Sequence, residues 1–189
     1  MSVDKIILGI DPGTTVMGYG AIHIHSEKTT LIGYGAISFR NAGNQAMKLK
    51  RIFENSVLLM EKFNPDEMSI EMPFYGKNVQ SMFKLGRAQG VVLSVALSRS
   101  MPVFEYSPKK IKLSVTGNGN ATKFQVAGMV KRFFCLEENI KQQDATDAIA
   151  AALCHFFQMV PAGNNISAEK RYKNWNDYLE KNPEKVFMR

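Results

Sequence analysis

A chain of 189 residues, 45% hydrophobic and 22% charged, has the length and composition of one folded core plus a short tail. No apolar stretch is long enough to span a bilayer, residues 1–10 lack a signal-peptide pattern, and Cys135 and Cys154 make neither a CxxC pair nor a four-ligand zinc set. The expectation is therefore a cytoplasmic protein with reduced thiols. The net charge of +7 is unevenly spread: Met72 to Gln143 carries eleven bases against three acids, and Tyr106 to Leu136 no acid at all. A solvated basic face is the plain reading of such a stretch, but its place between acidic segments favours a polyanionic partner.

Taken in chain order, Lys5–Ile10 reads as a strand whose run Ile6-Ile7-Leu8 suggests burial on both faces. Gly18–His25 and Leu31–Phe39 follow as strands around a polar turn at Ser26–Thr30, giving a meander. Gln45–Phe63 is helical, with Leu49, Ile52, Phe53, Val57 and Met60 on one face, and Asn64-Pro65 stops it. Glu67–Glu71 supplies a fourth strand, Asn78–Ser100 a long helix, and Pro102–Tyr106 a fifth strand. Lys109–Val115 and Thr122–Phe134 read as helices separated by the Gly117-Asn118-Gly119-Asn120 break, and Gln143–Met159 as a last core helix. The order predicts an α/β fold with a mixed five-stranded sheet and helices on both faces, over residues 1–159. Residues 160–189 read as a C-terminal extension: a Pro161–Asn165 linker, then a helix over Ser167–Lys181 carrying Tyr172, Trp175 and Leu179 on one stripe.

Four acids lie where elements begin or end. Pro12 biases Asp11 towards an extended backbone at the tip of the first strand, Gly13 permits a tight turn, and Thr14 and Thr15 offer hydroxyls. Glu71 closes the fourth strand, and the pleat turns it opposite Ile70. If the first and fourth strands are parallel neighbours, Asp11 and Glu71 stand side by side, about 4.8 Å between strands. Asp144 and Asp147, at i and i+3, share one helix face, and the small apolar run Ala148–Leu153 lets that helix pack tightly on the sheet. Taken singly, each acid has an ordinary reading as a turn, strand-end or helix-start residue. Together, hard oxygen donors in a basic chain suit a divalent metal and a phosphate substrate. His23 and His25 share a strand face and read as surface residues, and His155 lies about 12 Å along the helix from Asp147, too far to share a metal with it.

These pieces resemble the RuvC-type Holliday junction resolvases of the RNase H-like nuclease superfamily. The resemblance rests on GIDPGTTVMGYG (Gly9–Gly20) and IEMPFYGKNVQSMFKLGRAQG (Ile70–Gly90), followed by VFEYSPKKIKLSVTGNGNATKFQV (Val103–Val126) and DATDAIAAALCH (Asp144–His155), in family order. It implies an RNase H-like fold and a metal-dependent endonuclease that resolves four-way DNA junctions by paired, symmetric nicks, with 5′-phosphate and 3′-hydroxyl ends. Asp11, Glu71, Asp144 and Asp147 would be both catalytic and metal-holding, for two Mg²⁺ ions that Mn²⁺ replaces. Phe74 would stack on bases of an opened junction, while Lys112 and Lys123 would touch backbone phosphates. Lys77 and Asn78 are further DNA-binding candidates, with Lys84, Lys109 and Lys110 weaker and Tyr75 undecided. The resemblance also implies a homodimer through the helix holding Gly86, Ala88, Gly90 and Ala96, and coupling to a RuvA–RuvB branch-migration complex. Three other readings compete: an ATP-dependent kinase or ATPase of the actin-like fold suggested by the GIDPGTT turn, a non-catalytic junction binder, and an RNase H-like nuclease acting on RNA.

Overall fold

The computed structural model describes residues 4–26, 28–73, 78–138 and 140–159, together with Asp177 and Glu180. The elements follow as β1 (Asp4–Asp11), β2 (Val16–His25), β3 (Lys28–Ser38), α1 (Gln45–Phe63), β4 (Glu67–Glu71), α2 (Val79–Ser98), β5 (Val103–Tyr106), α3 (Pro108–Thr116), α4 (Lys123–Phe133) and α5 (Gln143–Gln158). The sheet order is β3-β2-β1-β4-β5. The two hairpins pair antiparallel, and β1–β4 and β4–β5 pair parallel. The mixed sheet expected from the element order is the one observed. Of the expected tail helix only Asp177 and Glu180 are described, both helical, and the Tyr172, Trp175 and Leu179 stripe lies outside the described residues.

Boundaries move where long-range pairing overrides local pattern. The polar turn expected over Ser26–Thr30 is shorter, because Thr29 and Thr30 pair with Ile24 and His23 in the ladder and Ser26 takes a left-handed backbone at φ 54°. β2 begins two residues before the expected Gly18, since Val16 pairs with Ser38. Helix ends are set by caps. Asn44, Asn78, Ser107 and Thr122 each accept a hydrogen bond from a first-turn N–H, Thr122 within a capping box closed by Gln125. Asn64 ends α1 in the left-handed conformation and Gly117 ends α3 at φ 75°, the break expected there.

The period of two in the central strands divides the core. Leu8, Ile10, Met68 and Ile70 pack with Ile52, Met60, Val92 and Val95 of α1 and α2. On the opposite side Ile7 and Ile22 pack with Ile149 to Leu153 of α5 and with α3 and α4. α5 lies unusually close to the sheet. A Cβ at Gly9 would come within 2.0 Å of the Ala148 carbonyl oxygen, and one at Gly18 within 1.9 Å of the Asp144 carbonyl oxygen. Glycine at these two positions is what allows the small residues of α5 to rest on β1 and β2.

Candidate active site

Asp11 follows Ile7 and Gly9 on the face that α5 covers, and Glu71 follows Glu67 and Ser69 on the same face. Ile10 pairs with Ile70 in the parallel ladder, so Asp11 and Glu71 come next to one another at the strand tips. The tight turn after Asp11 depends on Gly13, where a Cβ would lie 2.0 Å from the Val16 carbonyl oxygen.

The helix and β4 run in matching steps. Ser69 Oγ donates to the Ala151 carbonyl oxygen at 2.7 Å, and His155 Nε2 meets Glu67 Oε2 at 2.9 Å. Four helical residues rise about 6 Å and two strand residues about 6.6 Å, so positions 155, 151 and 147 fall against 67, 69 and 71. That register delivers Asp147, and with it Asp144, to the end of the sheet where Asp11 and Glu71 stand. All four expected acids are thus brought together. Asp144 is in the first turn of α5 rather than at its cap, which is Gln142.

Charge at this end is only partly compensated. Burial first, then Glu71, Asp147 and Asp144, push the Asp11 carboxyl up to about 8, with Lys123 opposing. Burial and Asp147 push Glu71 up to about 7 against Lys123 and Lys112. Lys123 Nζ donates to Asp147 Oδ2 at 2.5 Å. Burial works to lower the Lys123 ammonium, but this hydrogen bond and the surrounding acids hold it above its ordinary value. A set of crowded carboxylates that already draws in an ammonium is donor chemistry suited to a hard divalent cation such as Mg²⁺ or Mn²⁺. Among the described residues one trio of potential ligands has donor atoms all within 4.8 Å of one another, and it is Asp4, His23 and His25 at the far end of β1.

Of the expected DNA-contacting residues, Lys112 is half-buried and Lys123 exposed, both within electrostatic reach of the acids. Asn78 is exposed, and its Oδ1 is taken by the Ser81 N–H as the cap of α2. Lys84, Lys109 and Lys110 are exposed. Phe74, Tyr75 and Lys77 lie outside the described residues.

Two features escape the sequence reading. Phe124, beside Lys123 in the first turn of α4, is 82% exposed, whereas Val126, Val130 and Phe133 of that helix are buried. Its departure from the helix's apolar stripe is the signal that could have found it. The second is a polar chain at the opposite end of β4. Lys5 Nζ donates to Glu67 Oε1 at 2.5 Å, Glu67 meets His155, and His155 Nδ1 lies 2.7 Å from the Tyr106 hydroxyl. A neutral imidazole protonated at Nε2 satisfies the whole chain, donating to Glu67 and accepting from Tyr106. The expectation that His155 stands apart from the acid cluster holds, and its partners are Glu67 and Tyr106.

A family model described as crossover junction endodeoxyribonuclease RuvC matches residues 7–155. The chain is 51% identical over 185 residues to a protein of that name from Cytophaga hutchinsonii, covering 98% of this chain and 90% of the relative. It is likewise 51% identical to one from Bacteroides fragilis, covering 97% and 96%. Its fold is similar to that of Thermus thermophilus RuvC solved with a Holliday junction substrate, with a TM-score of 0.76, 29% identity, and coverage of 82% of this chain and 94% of the other.

Proposed function

The chain belongs to the RuvC family of crossover junction endodeoxyribonucleases, and from that premise we propose that it resolves four-way DNA junctions by one hydrolytic cut in each of two opposed strands. The observation that carries this reading is the convergence of Asp11, Glu71, Asp144 and Asp147 beside Lys112 and Lys123. The four carboxylates would hold Mg²⁺ or Mn²⁺, two ions in this reading, which when bound supply Lewis acidity towards water and the phosphate. Water forms the new P–O bond as the 3′ oxygen leaves, so the products are a 5′-phosphate and a 3′-hydroxyl. Burial keeps bulk water from screening the acids, and Lys123, already paired with Asp147, is placed to hold a phosphate oxygen of the cut strand.

Phe74 remains the proposed stacking residue on the strength of the resemblance, and Phe124 offers a second, exposed aromatic next to Lys123 in the first turn of α4. One base stacked on Phe124 is worth about 1–3 kcal/mol. Phe124→Ala is therefore expected to weaken junction binding by about 5- to 150-fold without lowering thermal stability, checked by fluorescence anisotropy with a labelled junction.

We also propose a two-fold dimer through α2. Val79, Phe83 and Leu97 are 61%, 68% and 63% exposed. With Gly86, Gly90 and Ser94 they form one stripe, and nothing lies within 4 Å of a Cβ built at either glycine. A two-fold enzyme matches a two-fold junction. Residues 160–189 are assigned to an extension beyond the nuclease unit. A cytoplasmic location and docking to a RuvA–RuvB complex complete the reading.

The deciding experiment is cleavage of a synthetic four-way junction, each strand end-labelled in turn, beside linear duplex and an RNA–DNA hybrid in Mg²⁺. Paired, symmetric, ligatable nicks confined to the junction are expected. Cutting of the hybrid instead, or binding with no cut, overturns the proposal.

A further inference from the structure

The end of β1 and β2 remote from the acid cluster holds the trio Asp4, His23 and His25. His23 and His25 alternate along β2, so both imidazoles project from one face, and Asp4 pairs directly with His25 in the antiparallel ladder. Asp4 Oδ1 lies 2.6 Å from His23 Nε2, and Asp4 Oδ2 lies 3.3 Å from His25 Nδ1. One donor atom from each residue falls within 4.8 Å of the other two. The seven residue-to-residue steps from Asp4 to Asp11 along the strand span about 23 Å, so this cluster shares nothing with the acid cluster.

We propose that Asp4, His23 and His25 form a second metal site, distinct from the nuclease centre and selective for a borderline transition-metal ion such as Zn²⁺. The donor set differs in kind from the four acids. Two imidazoles and one carboxylate suit Zn²⁺, Ni²⁺ or Co²⁺, whereas Mg²⁺ takes all-oxygen sites. With metal–ligand bonds of about 2.0–2.1 Å, a tetrahedral ion separates its ligand atoms by about 3.4 Å. The two close contacts run to the two different Asp4 oxygens, at 2.6 Å and 3.3 Å, and one donor atom per residue lies within 4.8 Å of the others, so ligation by a single carboxylate oxygen needs adjustments of no more than about 1.5 Å. The fourth position faces solvent, since Asp4 and His25 are exposed and His23 is half-buried. Antiparallel pairing holds the ligand backbones in place before any ion arrives, which removes much of the ordering cost. Bound there, the ion clips the start of β1 to the end of β2 and stabilises the fold without entering the hydrolytic chemistry.

The test uses the untagged full-length protein carrying Asp11→Asn, with excess Mg²⁺ present to occupy the remaining acids, titrated with Zn²⁺ by calorimetry. One equivalent is expected to bind saturably and to raise the melting temperature. Loss of one ligand in His25→Ala should weaken binding by at least about a hundredfold and abolish the thermal shift. Asp4→Asn keeps the shape of its side chain and should act in the same direction, which guards against a folding artefact in the first variant. Binding unchanged in both variants, or no saturable Zn²⁺ binding by the parent, overturns the proposal. In the Asp11 background, His25→Ala should leave junction binding intact. On an otherwise wild-type chain it should leave Mg²⁺-dependent cleavage intact, so failure of the zinc site is separable from failure of the nuclease reading.

Discussion

Two glutamates on one short strand, Glu67 and Glu71, face the same helix from opposite ends of β4 and experience opposite electrostatics. At Glu71, burial and Asp147 push the carboxyl up to about 7. At Glu67, burial pulls the same way, but hydrogen bonds from Lys5 and His155 hold the carboxyl below its ordinary value. Partners account for the opposite directions, since burial raises both carboxyls and only Glu67 receives hydrogen bonds that outweigh it. One end of the strand is compensated by the protein itself and ties the layers together. The other is left with more negative charge than the chain neutralises, which is how a site keeps affinity for a cation and, through it, a phosphate.

The largest expected effect comes from the undercompensated end. Asp11→Asn should reduce junction cleavage by at least about 10³-fold, measured in single-turnover assays, while junction affinity changes little. Cutting at the wild-type rate would remove Asp11 from the active site. Glu67→Gln should do the reverse, costing about 2 kcal/mol in denaturant unfolding because it breaks the Lys5–Glu67–His155 chain. Its cleavage rate, measured well below the melting temperature, should stay within about threefold of wild type.

The two ends should also respond oppositely to pH in metal-free protein. Asp11 titrates near 8 when folded against an ordinary 3.8, so between those values the folded state holds a proton that the unfolded state releases. The stability associated with this group is complete below about pH 4 and is lost as pH rises through about 8. Glu67 is shifted down, so its contribution is present above its ordinary 4.5 and is lost as pH falls through the lowered value. Melting curves in chelator should therefore fall between pH 5 and 8, and both Asp11→Asn and added Mg²⁺ should flatten that fall. A slope that survives undiminished in Asp11→Asn assigns it elsewhere, whereas the smaller slope left by Glu71, itself pushed up to about 7, is expected to remain. The smallest effect expected is Tyr106→Phe, about 1 kcal/mol, from the lost hydrogen bond to His155.

Much of this molecule is legible in the chain. The order of strands and helices follows from apolar periods of two and 3.6, the breaks from Asn64-Pro65 and Gly117–Asn120, and the four acids from their places at element ends. These are local signals, carried by neighbours within a turn or a pleat. What local pattern leaves open is which distant elements meet. That β1 lies between β2 and β4 turns Asp11 and Glu71 from two strand-end acids into neighbours. The matching rise of α5 and β4 is what gives Glu67 to His155, an ordinary polar residue and a lone histidine when read alone. Likewise Asp4 and His23, nineteen positions apart, meet only because the β1–β2 ladder sets their register. Phe124 lies off the stripe of Val126, Val130 and Phe133, so its exposure was signalled in the chain, while its place relative to other elements was not. Sequence alone thus determined the elements and the chemistry they carry. Tertiary pairing decided which charges are compensated and which are left for a cation, because a carboxylate's free energy depends on the groups within a few ångströms of it, wherever they lie along the chain.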